Sequence, residues 1–246
     1  MTLHHTRGIV LRVVKYGDTS LIVTIFTELF GIQSYIVNGV RTATKKSGGR
    51  AAMFQPGAIL ELVAYHNELK HLQRLKEYKW GVLYQHIFFD VVKNSVALFM
   101  VELLTKTLKQ PETNAGLYYF VEDAFVHLDA AKEQVLANFP LFFSLHLASI
   151  YGFRFSDRYS EETPFFDLQE GEFVHDQPVH PHFLGPPFSF ITAQLLKVMQ
   201  PHELDEIKLN KEVRRVLLQA YQSYYALHIQ DFGVMKTWAV VQEVLG

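Results

Sequence analysis

The sequence predicts an α+β multidomain protein. A five-stranded OB-type barrel over residues 1–80 precedes an all-helical domain over 81–246, which carries a small β-hairpin insertion at about 154–190. Three observations predict this. Five short runs of strand character lie in the first part in meander order, too few to bury two faces as an open sheet; closure into a barrel removes the exposed edges. The later segments repeat apolar residues at spacings of three and four. The stretch that interrupts them holds five of the nine prolines, Pro164, Pro178, Pro181, Pro186 and Pro187.

Each element has its own signal. Arg7–Val14 alternates, with Ile9, Leu11 and Val13 on one face and Arg12 on the other. Lys15–Ser20 contains Gly-Asp and turns. Leu21–Glu28 is β-branched and aromatic. Leu29–Gly31 turns the chain into a third strand, Ile32–Val40. Ala58–His66 alternates again. Lys70–Lys79 reads as the fifth strand, although its period also suits a helix. Helices are expected over His86–Gln110, with Phe88, Val92, Val96, Phe99 and Leu103 as a stripe, and over Ala115–Ala131 and Glu133–Gly152. Phe165–Asp176 reads as a hairpin about Glu170-Gly171. Helix resumes at Ile191–Met199 and at Leu209–Ile229, where Leu209, Val213, Val216, Leu217, Ala220, Tyr224 and Leu227 form a stripe, and ends with a short helix after Phe232.

The 246 residues include no cysteine, which excludes disulfides, thiolate metal sites and a cysteine nucleophile. The start of the chain lacks the long apolar core of a signal peptide, and no apolar run has membrane-spanning length; a soluble, cytoplasmic, nucleoid-associated protein is expected. The net charge of −2 hides an asymmetry. Residues 1–80 carry a net of about +6 and the remainder about −8. A polyanion partner for the first part follows.

The stretch Val37–Gly57 concentrates that charge. It holds Arg41, Lys45, Lys46 and Arg50, no carboxylate, and small residues between the charges, so the loop can conform to a phosphate backbone. Arg12, Lys15, Lys70 and Arg74, with Lys76, extend the positive surface, and Tyr16, Tyr35 and Tyr65 offer rings on which bases can stack. A competing chemistry rests on His175, His180 and His182 beside Asp176: two histidines two apart on a strand face one side, which suits a metal-dependent hydrolase. The intervening prolines favour an irregular surface loop instead, and no His-Glu-x-x-His, glycine-rich phosphate loop or Gly-x-Ser-x-Gly is present. No catalytic residue, metal or cofactor is assigned. A protein-binding adaptor without DNA affinity is the remaining alternative.

The stretch from Arg7 to Arg41, followed by Gln55-Pro56, resembles the start of the RecO family of bacterial recombinational repair proteins. The matching positions are Gly8, Tyr16, Gly17, Phe26, Thr27, Gly31, Gly39, Arg41, Gln55 and Pro56. The segment Tyr224–Leu245, with Lys236-Thr237, resembles the family's last part, so the likeness covers nearly the whole chain. It implies a non-enzymatic mediator that binds single- and double-stranded DNA and anneals complementary strands. It further implies partnership with RecR and contact with the acidic tail of single-strand-binding protein, so that RecA can replace that protein on DNA. Many members carry a zinc-binding cysteine cluster after the position of Gly152-Phe153. This chain has none, and packing by Phe155, Phe165, Phe166 and Phe173 is expected to hold the insertion. A tail ending in an apolar residue and a carboxylate needs an apolar pocket with a cationic rim. Arg214, Arg215 and Lys236 are the expected rim, with Lys93, Lys106 and Lys109 as other cations of the helical part.

Overall fold

The computed structural model describes residues 2–41, 49–108, 112–152, 155 and 158–245. Two compact units divide the chain, Met1–Gln85 with Leu108–Val126, and His86–Thr107 with His127–Gly246.

The first unit is a closed barrel. Strands β1 (Thr2–Tyr16), β2 (Ser20–Thr27), β3 (Gly31–Val37), β4 (Ile59–His66) and β5 (Leu72–Trp80) are joined in the order β1-β2-β3-β5-β4. The run that also suits a helix is therefore a strand: Gln73 and Leu75 are buried, while Leu72, Arg74 and Lys76 between and beyond them are exposed. Strand β1 is longer than its alternation suggests because it serves two neighbours. Its first half pairs with β4, Thr2 opposite His66, and its second half with β2, Tyr16 opposite Ser20. A bulge between Val10 and Arg12 bends it where the partner changes, so Val10 is fully buried as well as Ile9. The barrel closes through a short parallel contact, Ser34–Ile36 of β3 beside Leu72–Arg74 of β5. Gly8 marks the tightest point: a Cβ there would lie 2.5 Å from Cγ2 of Ile25.

Among the described residues six α-helices follow: α1 (Val91–Thr107), α2 (Ala115–Ala130), α3 (Glu133–Ile150), α4 (Phe188–Lys197), α5 (Lys211–His228) and α6 (Thr237–Val244). Most of α2 belongs to the barrel unit. Its Tyr118 ring lies 5.7 Å from Phe26, and its Phe125 packs beside Gly57, whose φ of +86° and lack of a Cβ admit the ring. Arg7 of β1 pairs with Glu122 of α2 at 2.6 Å.

Helix α1 begins later than its apolar stripe suggests. Asp90 accepts the amide of Lys93 at 2.9 Å, a side-chain cap, and the preceding His86–Asp90 stretch is a turn whose amides at His86 and Ile87 are bound by Asp129. The expected stripe on α5 is rotated. Leu217 and Tyr224 are buried as expected, but Leu218, Tyr221 and Tyr225 complete the face, and Leu227 is exposed. Tyrosines serve as core residues here because their hydroxyls find partners: Tyr225 donates to the carbonyl of Ser144 at 2.6 Å, and the Tyr221 hydroxyl bonds that of Thr192 at 2.9 Å.

The insertion is a three-stranded sheet, β7 (Glu172–Val174), β6 (Phe165–Asp167) and β8 (Phe183–Leu184) in that order. The hairpin lies where the sequence puts it; the two-residue β8, set between prolines, is too short to leave a pattern. Its packing is aromatic. Phe166 is fully buried, with ring centroids 5.6 Å from Phe155 and 4.8 Å from Phe173, and Phe155 lies 4.3 Å from Tyr224 of α5. Among the described residues no helix is long and apolar enough to cross a membrane.

Candidate functional site

The barrel register turns scattered basic residues into a surface. One cross-strand row runs Arg12, Thr24, Ser34, Leu72 over β1, β2, β3 and β5. The next runs Val14, Ile22, Ile36, Arg74, Tyr65 and so reaches β4. All nine side chains are exposed or half-exposed, and neither row contains a carboxylate. Arg12 and Arg74 thus flank the β2–β3 face, three strand spacings apart, about 14 Å along the sheet. A shallow depression at the β3–β5 junction gathers Lys70, Arg74 and Lys76 with Ile36, Tyr65 and Leu72.

The two ends of this face carry the remaining cations. At one end the β1–β2 turn follows Lys15 and Tyr16, both exposed. Arg41 is tied to that turn, its amide donating to the carbonyl of Thr19 at 3.0 Å and its guanidinium to that of Gly17 at 3.1 Å. At the other end the β4–β5 loop presents Lys70. Among the described residues Arg12, Lys15, Lys70 and Arg74 pair with no carboxylate, whereas Lys76 lies 3.5 Å from Glu77 and Lys79 is bound to Glu61 at 2.7 Å. Arg50 is exposed and sits near Tyr78, whose hydroxyl is pushed up by burial and brought partly back by that guanidinium. Lys45 and Lys46 lie outside the described residues. Of the three tyrosines proposed for stacking, Tyr35 is excluded: it is 1% exposed, facing the barrel interior. Tyr16 and Tyr65 stand at the margins, and the face between them is isoleucine, threonine and serine.

The insertion histidines do not converge. His180 bonds Asp167 at 3.2 Å, whose other oxygen accepts the amide of Gln169, while the exposed His175 bonds the carbonyl of Glu162. The rings of His180 and His182 are 6.2 Å apart, tilted. Among the described residues there is no group of three or more His, Asp or Glu able to hold a metal ion.

The helical unit holds a groove among α3, α5 and α6. Its floor is apolar, made by Pro140, Leu141, Leu218, Val241 and Leu245, and its rim carries Lys211, Arg214 and Arg215. Two of the three cations expected for a tail are thus brought together with a third that sequence reasoning passed over. The signal for Lys211 was its spacing: it shares a face of α5 with Arg214, Arg215 and Leu218. Arg214 is anchored, donating to the carbonyls of Leu209 at 2.6 Å and Leu245 at 3.0 Å, and burial lowers its pKa. Arg215 pairs with Glu212 at 2.7 Å. Lys236 does not line the groove. It stands at the start of α6, where Glu102 of α1 accepts the amides of Lys236 and Thr237 at 2.8 Å each. Burial opposes ionisation of Glu102, but these bonds and the Thr237 hydroxyl outweigh it and hold its pKa down. Lys106 donates to the carbonyl of Phe232, and Lys93 is buried against that of Asp129. Lys109 lies outside the described residues.

An OB-like five-stranded barrel followed by helices and a small sheet defines an α+β protein, and two family models match the chain in succession. Recombination protein O N terminal matches residues 1–82, and Recombination protein O C terminal matches residues 89–237. The chain is similar over nearly all of its length to proteins named DNA repair protein RecO. That of Flavobacterium psychrophilum is 33% identical over 245 residues, covering 97% of this chain and 98% of the relative. That of Bacteroides fragilis is 31% identical over 245 residues, covering 98% and 99%. That of Azobacteroides pseudotrichonymphae is 28% identical over 242 residues, also covering 98% and 99%. The chain belongs to the RecO family.

Proposed function

We propose that the chain is a DNA repair protein that binds single- and double-stranded DNA on the outer β2–β3 face of its barrel. The observation that carries this reading is the carboxylate-free pair of strand rows flanked by Arg12 on one side and Lys70 and Arg74 on the other. Unpaired cations spaced along an open face suit a repeating phosphate backbone, and binding of this kind is independent of sequence. OB barrels in general use the strand 2–3 face with the loops after strands 1 and 4 for oligonucleotides; here Lys15 stands on β1 just before the first of these loops and Lys70 lies in the second. The scarcity of rings in the centre of the face favours backbone contact over base stacking, which suits a protein that handles both strand states and anneals complementary strands.

The helical groove supports a second contact, with the acidic tail of single-strand-binding protein. An apolar floor with three cations on its rim fits a short anionic peptide that ends in an apolar residue. In this reading the protein, with RecR, helps RecA replace single-strand-binding protein on DNA, and it acts without catalysis. Localisation with the nucleoid follows from DNA binding.

The test is a titration of fluorescent single-stranded and duplex oligonucleotides at several salt concentrations. Steep salt dependence with little preference among sequences is expected. Binding that is absent, or indifferent to salt, would leave the adaptor without DNA affinity as the better reading.

A further inference from the structure

We propose that Gln73 is a positioning residue for DNA binding: from inside the barrel it fixes the β4–β5 loop so that Lys70 is held at the phosphate-binding face. This rests on the reading of the barrel face as a DNA interface. Gln73 sits on β5 opposite Tyr35 and is 1% exposed, at an interior position where its neighbours in the strand rows are apolar. A buried amide is costly unless its donors and acceptor are matched. All the bonds it makes go to the loop. Its oxygen accepts the amide of Asn67 at 3.0 Å, and its nitrogen donates to the carbonyl of Asn67 at 2.8 Å and to that of Lys70 at 2.6 Å. The loop closes on itself as well: the amide of Lys70 donates to the carbonyl of Asn67 at 3.0 Å, and that of Leu69 to the Asn67 side chain at 2.9 Å.

The consequence is a loop whose two ends are tied to one buried side chain, while Glu68, Leu69, Lys70 and His71 remain exposed. The backbone of Lys70 is fixed, and only its side chain has to be ordered when an anion arrives. Ordering costs that are met before binding do not subtract from affinity. An apolar residue would fill the same interior space; the glutamine adds nothing to the barrel core that an apolar side chain would not, and all of its hydrogen bonding is spent on loop shape.

The experiment is a double-mutant cycle on the full chain, Gln73→Met, Lys70→Ala and both together, read as the log–log salt slope of DNA binding, with thermal melting to confirm that each variant is folded at the assay temperature. Gln73→Leu, which also removes the acceptor and both donors and adds no charge, replaces Gln73→Met if the latter does not fold. Loss of one phosphate contact flattens the slope by ~0.7 on single strands and ~0.9 on duplex. Gln73→Met is expected to flatten it by about that amount, Lys70→Ala likewise, and the double variant no further than either. A lower melting temperature alone would not change the slope of the folded protein. A full slope in Gln73→Met beside a flattened one in Lys70→Ala would overturn the proposal while leaving the DNA interface intact, and so would additive losses. An unchanged slope in Lys70→Ala would remove the contact that Gln73 is said to position, and with it this part of the interface.

Discussion

The barrel face and the helical groove both gather cations, and they hold them differently. On the barrel, Arg12, Lys15, Lys70 and Arg74 stand on strands and tight turns, unpaired among the described residues and spread along an open sheet. In the groove, Arg214 is tied to two backbone carbonyls, Arg215 is paired with Glu212, and the surface between them is apolar. The first arrangement maximises attraction for a long polyanion and commits no charge to a fixed partner. The second gives up much of its charge to rigidity and gains an apolar surface, which suits a short segment with one end to bury. Salt should therefore weaken both, steeply at the barrel and mildly at the groove.

The strongest break in that comparison is to neutralise the barrel. Replacing Arg12, Lys15, Lys70 and Arg74 together by Ala should flatten the log–log salt slope of DNA binding by about 3, four contacts at ~0.7–0.9 each. Binding of an Asp-rich peptide with a C-terminal phenylalanine should be unaffected. A fourfold variant with its slope intact would mean that the face is a solvated surface. Next in size is the insertion. Phe166→Ala should cost about 3–5 kcal/mol in denaturant unfolding, since the ring is fully buried among other rings. The slope of DNA binding should not move, and a chelator should leave the melting temperature unchanged; a fall of several degrees would show a bound metal that the histidines do not account for.

A smaller effect is expected at the groove. Leu218→Ala removes part of the apolar floor and should weaken the tail peptide about tenfold, the effect of losing ~1.4 kcal/mol at an interface centre, with DNA binding unaltered. Loss of DNA binding with loss of the peptide would mean that the two sites are not separate. The smallest effect is in pH. Burial, with His4 nearby, pushes His66 below its ordinary 6.5, and burial does the same to His146 in the helical unit. Both fold as neutral rings, so the unfolded chain takes up the proton first, and stability falls as pH drops below about 6.5. The denaturation midpoint should decline between about pH 7 and pH 5.5. His66 stacks on Phe30 with centroids 4.0 Å apart, and His66→Phe should remove its share of the decline; an undiminished decline would assign the effect elsewhere.

Much of this was legible in the residues. Strand alternation exposes its own phase, so Arg12 and Arg74 could be placed outside the barrel before any register was known. Tyr35 could not: a tyrosine on a strand is as compatible with a stacking ring as with a core ring, and only the closure of the barrel decides. The phase that puts Arg74 outside puts Gln73 inside with Leu75, but its role was invisible because its partners are backbone atoms of the β4–β5 loop. The rotation of α5 had a similar cause, since the buried face uses tyrosines whose hydroxyl partners lie far away in sequence. Lys236 does not line the groove: its charge was visible in the sequence, while the capping of its amide by Glu102, 134 positions away in sequence, was not.

The central claim is that two different anions occupy two different sites. It is tested most directly by titrating the fluorescent Asp-rich peptide into the protein alone and into the protein saturated with duplex DNA, at one fixed salt concentration. The account predicts the same peptide affinity in both titrations. Displacement of the peptide by DNA, in proportion to DNA occupancy, would put both anions on one surface and contradict it.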